Sequence, residues 1–352
     1  MTVSLTSPRV YVPALALAVF AIAPLWFTPF YLNMAILFLI FAIWGHAWNI
    51  IGGYGNSLSL GHAAFVALGS YVPVLLLKYY ELTPLVGVFA GVAAAVAVAA
   101  LVGWITFRLR GAYFAIGTLA IITLMHYLVL HFRGITGGSQ GLSVPFRGND
   151  PLFLQFSSNL WYFYILLGLG VVVTWIMHRF DRSQFGYHLR AAGQDELAAR
   201  SIGIDTRKVK LKGFMLSAAI TAVAATVYAQ FVYHLSPLYV VHIQLSILIL
   251  LPVVIGGPAT VWGPVLGAAL LVPVEQIAQR ELGGTFGGAQ LIIYGLVVIL
   301  VMRYRPEGII GPLARVYHWL LARLPGGNGG PPPGGKRQEA GTANSTTANS
   351  TA

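Results

Sequence analysis

The stretch PLVGVFAGVAAAVAVAALVGWITF, residues 84–107, decides the fold of this chain because it contains no charged side chain. A helix of about 20 apolar residues is long enough to cross the hydrocarbon core of a bilayer. The whole sequence has the same character, since 57% of its 352 residues are hydrophobic and 9% are charged. Soluble domains carry about 25% charged residues. The composition therefore predicts an all-α integral membrane protein.

Apolar runs separated by polar or helix-breaking residues predict about ten transmembrane helices. The first run contains a possible signal-peptide cleavage site at 21–23, but its apolar character continues past that site, which favours a retained span. The eighth run is short for a full crossing, so it either spans the bilayer or is re-entrant. The predicted spans are residues 10–28, 32–51, 63–79, 84–107, 112–131, 160–178, 211–235, 245–257, 262–280 and 288–303.

Basic residues predict the orientation of these helices. With a cytoplasmic N-terminus and alternating spans, 17 of the 21 Lys and Arg residues fall on the cytoplasmic side. This asymmetry is the positive-inside pattern, and it predicts that both termini are cytoplasmic. The loop 179–212 alone holds eight basic residues. Anionic lipid headgroups attract such residues, so the net charge of +11 requires no nucleic acid as a partner.

Three regions follow from this layout. Residues 1–311 are predicted to form the transmembrane domain, with 179–212 as its main cytoplasmic loop. Residues 312–324 are predicted to form a short cytoplasmic amphipathic segment. Residues 325–352 consist mainly of Gly, Pro, Asn, Thr and Ser, which predicts a disordered tail.

The sequence offers no residues for catalysis or for binding a cofactor. It lacks the phosphate-binding pattern G-x-x-x-x-G-K-[ST] and any cysteine, and its nine histidines do not have metal-ligand spacing. An ion-driven transporter needs ionisable groups at membrane depth. Glu275 is the only acidic residue predicted well inside a span, and we expect it to pair with Arg280 near the outer end. We therefore predict a non-enzymatic chain without a metal site.

The cytoplasmic loop contains a candidate docking helix. Residues 195–202 favour a helix, with acidic residues in its first turn and Gly203 as a stop. Such a short helix at the membrane surface contacts either lipid headgroups or a soluble partner. The pattern Glu196-x-Ala198-Ala199-x-x-x-Gly203 resembles the EAA loop of ABC importer permeases, with one extra residue after the glutamate.

Further motifs agree with this resemblance and occur in the expected order. Together they cover about residues 30–311, which resemble the M-type (LivM-like) permease subunit of branched-chain amino acid ABC importers. The motifs are NIIGGYGNSLSLGHAAF at 49–65, RGAYFAIGTL at 110–119, TGGSQGL at 136–142, IGGPATVWGPVLGA at 255–268 and YRPEG at 304–308.

The resemblance implies a set of partners and a location. A separate ABC ATPase subunit would bind ATP and Mg and hold the cytoplasmic loop, so this chain needs no cofactor of its own. A second homologous permease subunit would complete a heterodimer, and an extracytoplasmic binding protein would deliver the solute. The location would be the bacterial inner membrane. The predicted ATPase-coupling residues are Gly186, Arg190, Ala191, Asp195, Glu196, Ala198, Ala199 and Gly203.

Two glycine-rich stretches, 52–61 and 256–263, interrupt apolar segments in the two halves of the chain. Irregular backbone at membrane depth is tolerated where it is buried or lines a cavity, and paired interruptions are typical of transporters with internal repeats. A two-fold internal repeat and a substrate path are therefore possible, with plain helix packing as the alternative. The candidate path residues are Asn49, Ser57, Ser59, Gly61, His62, Thr118, Gly256 and Gly257.

The expected function is the import of branched-chain amino acids, driven by ATP hydrolysis on another subunit. Two departures from the family pattern leave the solute open: Gly55-Asn56, where Gly-Gln is common, and the triplet 258–260. Urea, amides and small carboxylates are alternative solutes. An ion-coupled secondary transporter and a passive channel are the alternative classes, and Glu275 is the residue at which ion coupling would be tested.

Overall fold

We describe the protein from a computed structural model that covers residues 18–108, 111–282, 288–304 and 308–311. The predicted amphipathic segment 312–324 and the predicted tail 325–352 lie outside the described residues, as do residues 10–17 of the first predicted span. Helices of six residues or more are numbered in chain order. They are α1 Pro29–Asn49, α2 His62–Tyr80, α3 Pro84–Thr106, α4 Ala112–His131, α5 Asn159–Asp181, α6 Gln184–Gln194, α7 Glu196–Ser201, α8 Thr206–Val232, α9 Ile243–Gly256, α10 Gly263–Leu282 and α11 Ala289–Tyr304.

The helices agree with nine of the ten predicted spans to within a few residues, from α1 to α5 and from α8 to α11. Six of them, α1 to α5 and α8, are long and apolar enough to cross a membrane, and α9 and the segment Ile292–Tyr304 are shorter apolar helices. The 14 residues of α9 span about 21 Å at 1.5 Å per residue, less than the roughly 30 Å of a hydrocarbon core. The total of ten spans stays a prediction.

The cytoplasmic loop predicted for 179–212 is more ordered than expected. The helix α8 begins at Thr206, because the side chain of Asp205 accepts a hydrogen bond from the Lys208 N–H at 3.1 Å and caps the helix. The predicted docking helix is present as α7. The prediction missed α6, whose first turn is capped by the Ser183 hydroxyl through the N–H of Gly186 at 3.0 Å.

The bundle contains two similar groups of packed helices. In one group, α2, α3 and α8 pack against each other, and α4 packs on α2 and α3. In the other group, α1, α9 and α10 pack against each other, and α11 packs on α9 and α10. Contacts of α1 with α8 and of α2 with α9 join the two groups, and α5 packs on α1.

Each group has a close helix contact at a proline. Pro73 in α2 has no N–H, so the carbonyl of Gly69 lacks its helical partner. The hydroxyl of Thr226 on α8 donates to that carbonyl at 2.8 Å. A methyl group on Gly87 would lie 2.8 Å from Cβ of Pro73, and one on Gly91 would lie 3.2 Å from its Cγ. Glycine is therefore needed where α3 crosses α2.

The second group repeats this packing between α9 and α10. Pro252 interrupts α9, and Gly267 of α10 lies directly against its carbonyl oxygen. A methyl group on Gly267 would overlap that oxygen. Four residues earlier, Gly263 and Gly256 make a similarly close backbone contact. The glycine spacing in α10 thus serves helix packing, which is one of the two roles expected for it.

The two ends of the bundle differ in chemistry. One end, called here the basic end, is formed by α6, α7, the start of α8 and the turn 257–260. At the opposite end, the segment 132–158 folds back over the helices: Tyr79 donates to the carbonyl of Gly134 at 3.0 Å, and Arg147 pairs with Glu81 at 2.8 Å. A two-residue antiparallel pairing of Leu142–Ser143 with His234–Leu235 fixes this segment beside the end of α8.

The close contact at Gly267 predicts that substitution by alanine destabilises the protein at Gly267 but not at Gly295. Gly267→Ala should lower the free energy of unfolding by about 1–3 kcal/mol, the usual cost of overpacking, because neither backbone can yield. Gly295→Ala is the control, since a methyl group there meets no atom within 4 Å. Thermal unfolding of the detergent-solubilised variants measures both. Equal melting temperatures would contradict the packing described here.

Candidate functional site

A cavity of about 630 Å³ lies at the basic end, between the helices α6 and α7 and the rest of the bundle. Its wall includes Ser57 and Leu58 from the glycine-rich segment that follows α1, Phe107 directly after α3 and Phe114 in the first turn of α4. The rings of Phe107 and Phe114 are stacked, with their centroids 4.9 Å apart. The cavity thus lies beside the segment that sequence analysis predicts to line the substrate path.

A fully buried polar network surrounds His62, next to this segment. Nδ1 of His62 lies 3.2 Å from the Ser59 hydroxyl, and Nε2 lies 2.8 Å from the Ser217 hydroxyl. Ser217 donates its own proton to the carbonyl of Ala47 at 2.6 Å. Nε2 of His62 must therefore carry a proton and donate it to Ser217.

Further side chains hold the irregular segment 55–61 in place. Oγ1 of Thr118 accepts from the N–H of Leu60 at 3.0 Å, and Nε1 of Trp48 donates to the carbonyl of Ser59 at 2.7 Å. The hydroxyl of Ser246 on α9 accepts from the N–H of Ala63 at 2.9 Å, which satisfies one of the free donors at the start of α2. The segment is thus fixed by side chains from α1, α4 and α9.

A second polar cluster lies around the turn between α9 and α10. The amide of Asn49 donates to the carbonyl of Thr260 at 2.8 Å and accepts from the N–H of Ala259 at 2.9 Å. Gly257 adopts a φ of +127° at the beginning of this turn. The carbonyl of Gly257 accepts from the Thr260 hydroxyl at 2.7 Å, which closes the turn.

The structure therefore divides the predicted path residues into two clusters. Ser59, Gly61, His62 and Thr118 lie together, and Ser57 faces the cavity beside them. Asn49, Gly256 and Gly257 surround the α9–α10 turn instead. The side chains of Asn49, Ser59, His62 and Thr118 are buried and hydrogen-bonded to protein atoms, so their contact with a solute stays a prediction. Sequence reasoning missed Ser217 and Ser246, which look unremarkable within apolar helices.

The predicted ATPase-coupling residues form a compact cap over the basic end. The carboxylate of Asp195 accepts from the N–H groups of Leu197 and Ala198 and caps α7. Glu196 pairs with Lys210 on α8 at 2.6 Å and with Arg200 at 3.4 Å. Gly203 has a φ of +88° and ends the helix, as expected. The Glu196–Lys210 pair ties α7 to α8, and we expect movement of α7 to displace α8.

The other predicted coupling residues mostly serve packing. Gly186 lies against the carbonyl oxygen of Phe180, Ala199 is buried, and Ala191 is half-buried, whereas Ala198 is exposed. Arg190 contacts the α9–α10 turn. At the loop end, hydrogen bonds from the backbone and then the side chain of Lys208 lower the pKa of the Asp205 carboxyl, which favours the charged cap.

The prediction that Glu275 pairs with Arg280 is wrong. The guanidinium of Arg280 lies over the ring of Phe30 at 4.7 Å, and its Nε is 3.6 Å from Glu281. Residues five apart on a helix point in different directions, whereas those three or four apart are neighbours. The spacing from 275 to 280 therefore opposes the pairing.

Comparison with known proteins decides the family. Residues 30–302 match the family model described as branched-chain amino acid transport system / permease component. The chain belongs to this family. No solved structure matches the chain. As a member of this permease family with six long apolar helices, it is a multi-pass membrane protein.

Individual relatives agree with this assignment. The chain is 30% identical to the high-affinity branched-chain amino acid transport system permease protein LivM of Escherichia coli (strain K12), over 89% of this chain and 80% of the relative. It is also 30% identical to LivM of Salmonella typhimurium, over 86% and 75%. It is 23% identical to the permease protein LivH of Salmonella typhimurium, over 77% and 91%.

The His62 network predicts that Ser217 is a structural determinant of this permease. Ser217→Ala removes two buried hydrogen bonds and leaves Nε2–H of His62 without its acceptor, which should cost about 1–3 kcal/mol. Ser201→Ala is the control, because that exposed hydroxyl donates only to the carbonyl of Ala198 within α7. Thermal unfolding compares the two variants. A Ser217 variant as stable as the Ser201 variant would contradict the network.

Proposed function

We propose that the chain is the membrane-spanning permease subunit of an ABC importer for branched-chain amino acids in the cell inner membrane. The match of residues 30–302 to the permease family carries this proposal. ATP is hydrolysed on separate ATPase subunits, which also bind Mg. The relatives named above are permeases of branched-chain amino acid transport, and the solute of this chain is inferred from them.

The ATPase docks on α6 and α7 at the basic end. Support comes from three apolar side chains that these polar segments expose: Tyr187 is 58% exposed, Leu197 is 68% exposed and Ile202 is 74% exposed. Apolar side chains surrounded by charges are typical of a protein contact surface. Lipid headgroups attract the basic residues of this segment but do not explain Leu197 and Ile202 on its short docking helix.

The basic end faces the cytoplasm, with both termini on that side and ten spans in total. The positive-inside asymmetry supports this orientation. A homologous second permease subunit completes a heterodimer. The proposal of a second subunit is supported by the similarity of this chain to both LivM and LivH proteins. An extracytoplasmic binding protein delivers the solute to the opposite end, where the segment 132–158 provides an ordered surface.

The two helix groups form an inverted repeat, with α1 to α4 corresponding to α8 to α11. Three features support this proposal: the matching contact patterns, the glycine–proline contacts between α2 and α3 and between α9 and α10, and the opposite directions of corresponding helices. The first helix of each repeat packs into the other repeat, since α1 lies with α9 and α10 whereas α8 lies with α2 and α3.

The solute path runs between these repeats, past the segment 57–62 and into the cavity at the basic end. Ser59, His62 and Thr118 provide uncharged hydrogen-bonding groups beside apolar walls, which suits a small amino acid during its passage. Because His62 is bonded to both Ser59 and Ser217 in this structure, opening the path requires the α8 side chain of Ser217 to move. The Glu196–Lys210 pair connects that movement to α7.

The docking proposal predicts opposite outcomes at two equally exposed leucines. Leu197→Glu should reduce ATPase co-purification and ATP-dependent uptake by about tenfold or more, because it places a charge in the apolar contact. Leu238→Glu at the opposite end is the control, since Leu238 is also 68% exposed. It should retain the ATPase. Equal ATPase recovery with both variants would contradict docking at α7.

The transport proposal predicts that the assembled complex in vesicles accumulates radiolabelled leucine only when ATP is present on the side of the basic end. An ion gradient without ATP should produce no accumulation. Glu275→Gln should leave uptake within about twofold, because no step uses this carboxylate as an ion carrier. Accumulation driven by the ion gradient alone would contradict the proposal, and competition by urea or acetamide but not by isoleucine would contradict the solute class.

A further inference from the structure

An unusual cluster lies where the cytoplasmic helix α6 meets the two repeats. Nη2 of Arg190 on α6 pairs with Asp181 at the end of α5 at 2.7 Å. The hydroxyl of Tyr54 donates to the same carboxylate oxygen at 2.8 Å. The Arg190 guanidinium also lies over the Tyr54 ring, 4.8 Å from its centroid. One arginine thus contacts both α5 and the π-helical turn that extends α1.

The same guanidinium reaches the turn between α9 and α10. Nη2 of Arg190 donates to the carbonyl of Ala259 at 3.3 Å. On the other side of that residue, Asn49 of α1 accepts from the Ala259 N–H at 2.9 Å. Ala259 itself has a φ of +56°, in the left-handed region that a non-glycine residue occupies at an energetic cost. Both polar groups of this strained residue are therefore held by side chains from outside the turn.

The helix α6 is well placed to move this arginine as a unit. Its last turn lies against the end of α1: a methyl group on Gly193 would be 2.5 Å from the carbonyl oxygen of Tyr54, and Asn56 donates to the Gly193 carbonyl at 3.1 Å. Leu189 is fully buried against Gly213 of α8. A displacement of α6 therefore also moves Arg190.

The strength of these contacts suits a reversible connection. The Arg190 and Asp181 side chains are 35% and 30% exposed, and ion pairs that water can reach contribute little to stability. They can break when a partner pulls α6 and form again afterwards. The geometry still requires arginine, because only its planar group stacks on a ring while donating to two acceptors.

We propose that Arg190 is the positioning residue that couples α6 to the α9–α10 turn. When the ATPase displaces α6, Arg190 leaves the Ala259 carbonyl, and the strained turn changes conformation, which moves α9 relative to α1. This inference rests on the proposed function, because it takes the ATPase as the source of movement. It assigns the connection between α6 and the α9–α10 turn to the Arg190 side chain and the Ala259 carbonyl oxygen. The docking proposal names neither group.

The test uses the complete complex and the variant Arg190→Lys, which keeps the charge. ATPase co-purification should be unchanged and ATP hydrolysis should stay within about twofold, whereas leucine uptake per ATP hydrolysed should fall about tenfold, since a lysine cannot make the stacked, two-acceptor contact. Arg207→Lys, at an exposed position in the first turn of α8, is the matched control and should be unchanged. Uptake per ATP equal to wild type in Arg190→Lys would overturn the proposal.

A labelling measurement separates coupling from loss of structure. The chain has no cysteine, so Pro258→Cys places a single exposed thiol in the turn. Nucleotide binding should change its maleimide labelling rate with Arg190 present, and Arg190→Lys should abolish that change while its unfolding temperature is retained. Tyr54→Phe removes only the hydrogen bond to Asp181 and should reduce the nucleotide-dependent change in labelling rate without abolishing it.

Two labelling results would overturn the role of Arg190. One is a change of equal size in the Arg190→Lys variant, and the other is no change with Arg190 present. Wild-type uptake driven by ATP, measured in parallel, shows in either case whether the proposed function stands.

Discussion

The architecture depends on one constraint: every backbone N–H and C=O group that an interrupted helix releases inside an apolar bundle needs a protein partner. The segment 55–61 breaks the helical path between α1 and α2, and two of its backbone groups are bonded by Trp48 and Thr118. One of the free donors at the start of α2 is bonded by Ser246. Most buried polar side chains of the site are explained first by this requirement.

The constraint also explains why the bundle combines rigid and movable parts. The carbonyl that Pro73 leaves free is bonded by Thr226, and glycines bring α3 into close backbone contact there. These contacts are buried and cannot yield without leaving polar groups unpaired. At the basic end, by contrast, part of the connection between α6 and the bundle is the ion pair Arg190–Asp181, which water can reach. We expect movement driven from outside to begin at that end.

Apolar runs alone predicted α1 to α5 and α8 to α11 well, because uninterrupted apolar stretches of about 20 residues have few other stable conformations in a bilayer. The helix α6 was missed because it is short and mixed in polarity, so no apolar run marks it. The expected pair of Glu275 with Arg280 failed because distance along the sequence does not give direction around a helix. The helix α7 was predicted correctly from the acidic residues in its first turn and its glycine stop, and its docking role stays a prediction.

The two polar clusters could be predicted only in part. Residues 57–62 and 256–257 were identified from their glycine-rich sequence, but their partners lie far away in the chain. Asn49 contacts a turn more than 200 residues later, and the sequence separation to Thr260 is 211. Ser217 meets His62 across 155 residues. Such pairings depend on how α1 packs with α9 and α10 and how α8 packs with α2 and α3, which periodicity within a single helix does not encode.

The end of α1 contacts both polar clusters and the Arg190 site. Three consecutive residues contact different parts of the site: Ala47 accepts from Ser217, Trp48 donates to Ser59, and Asn49 holds Ala259 and Thr260. The π-helical turn that follows, a feature often found at functional sites, brings Tyr54 beneath Arg190. A change at the Arg190 contact is therefore only a few residues of one continuous helix away from the His62 network. The physical route from the docking surface to the proposed path is short, and it runs along α1.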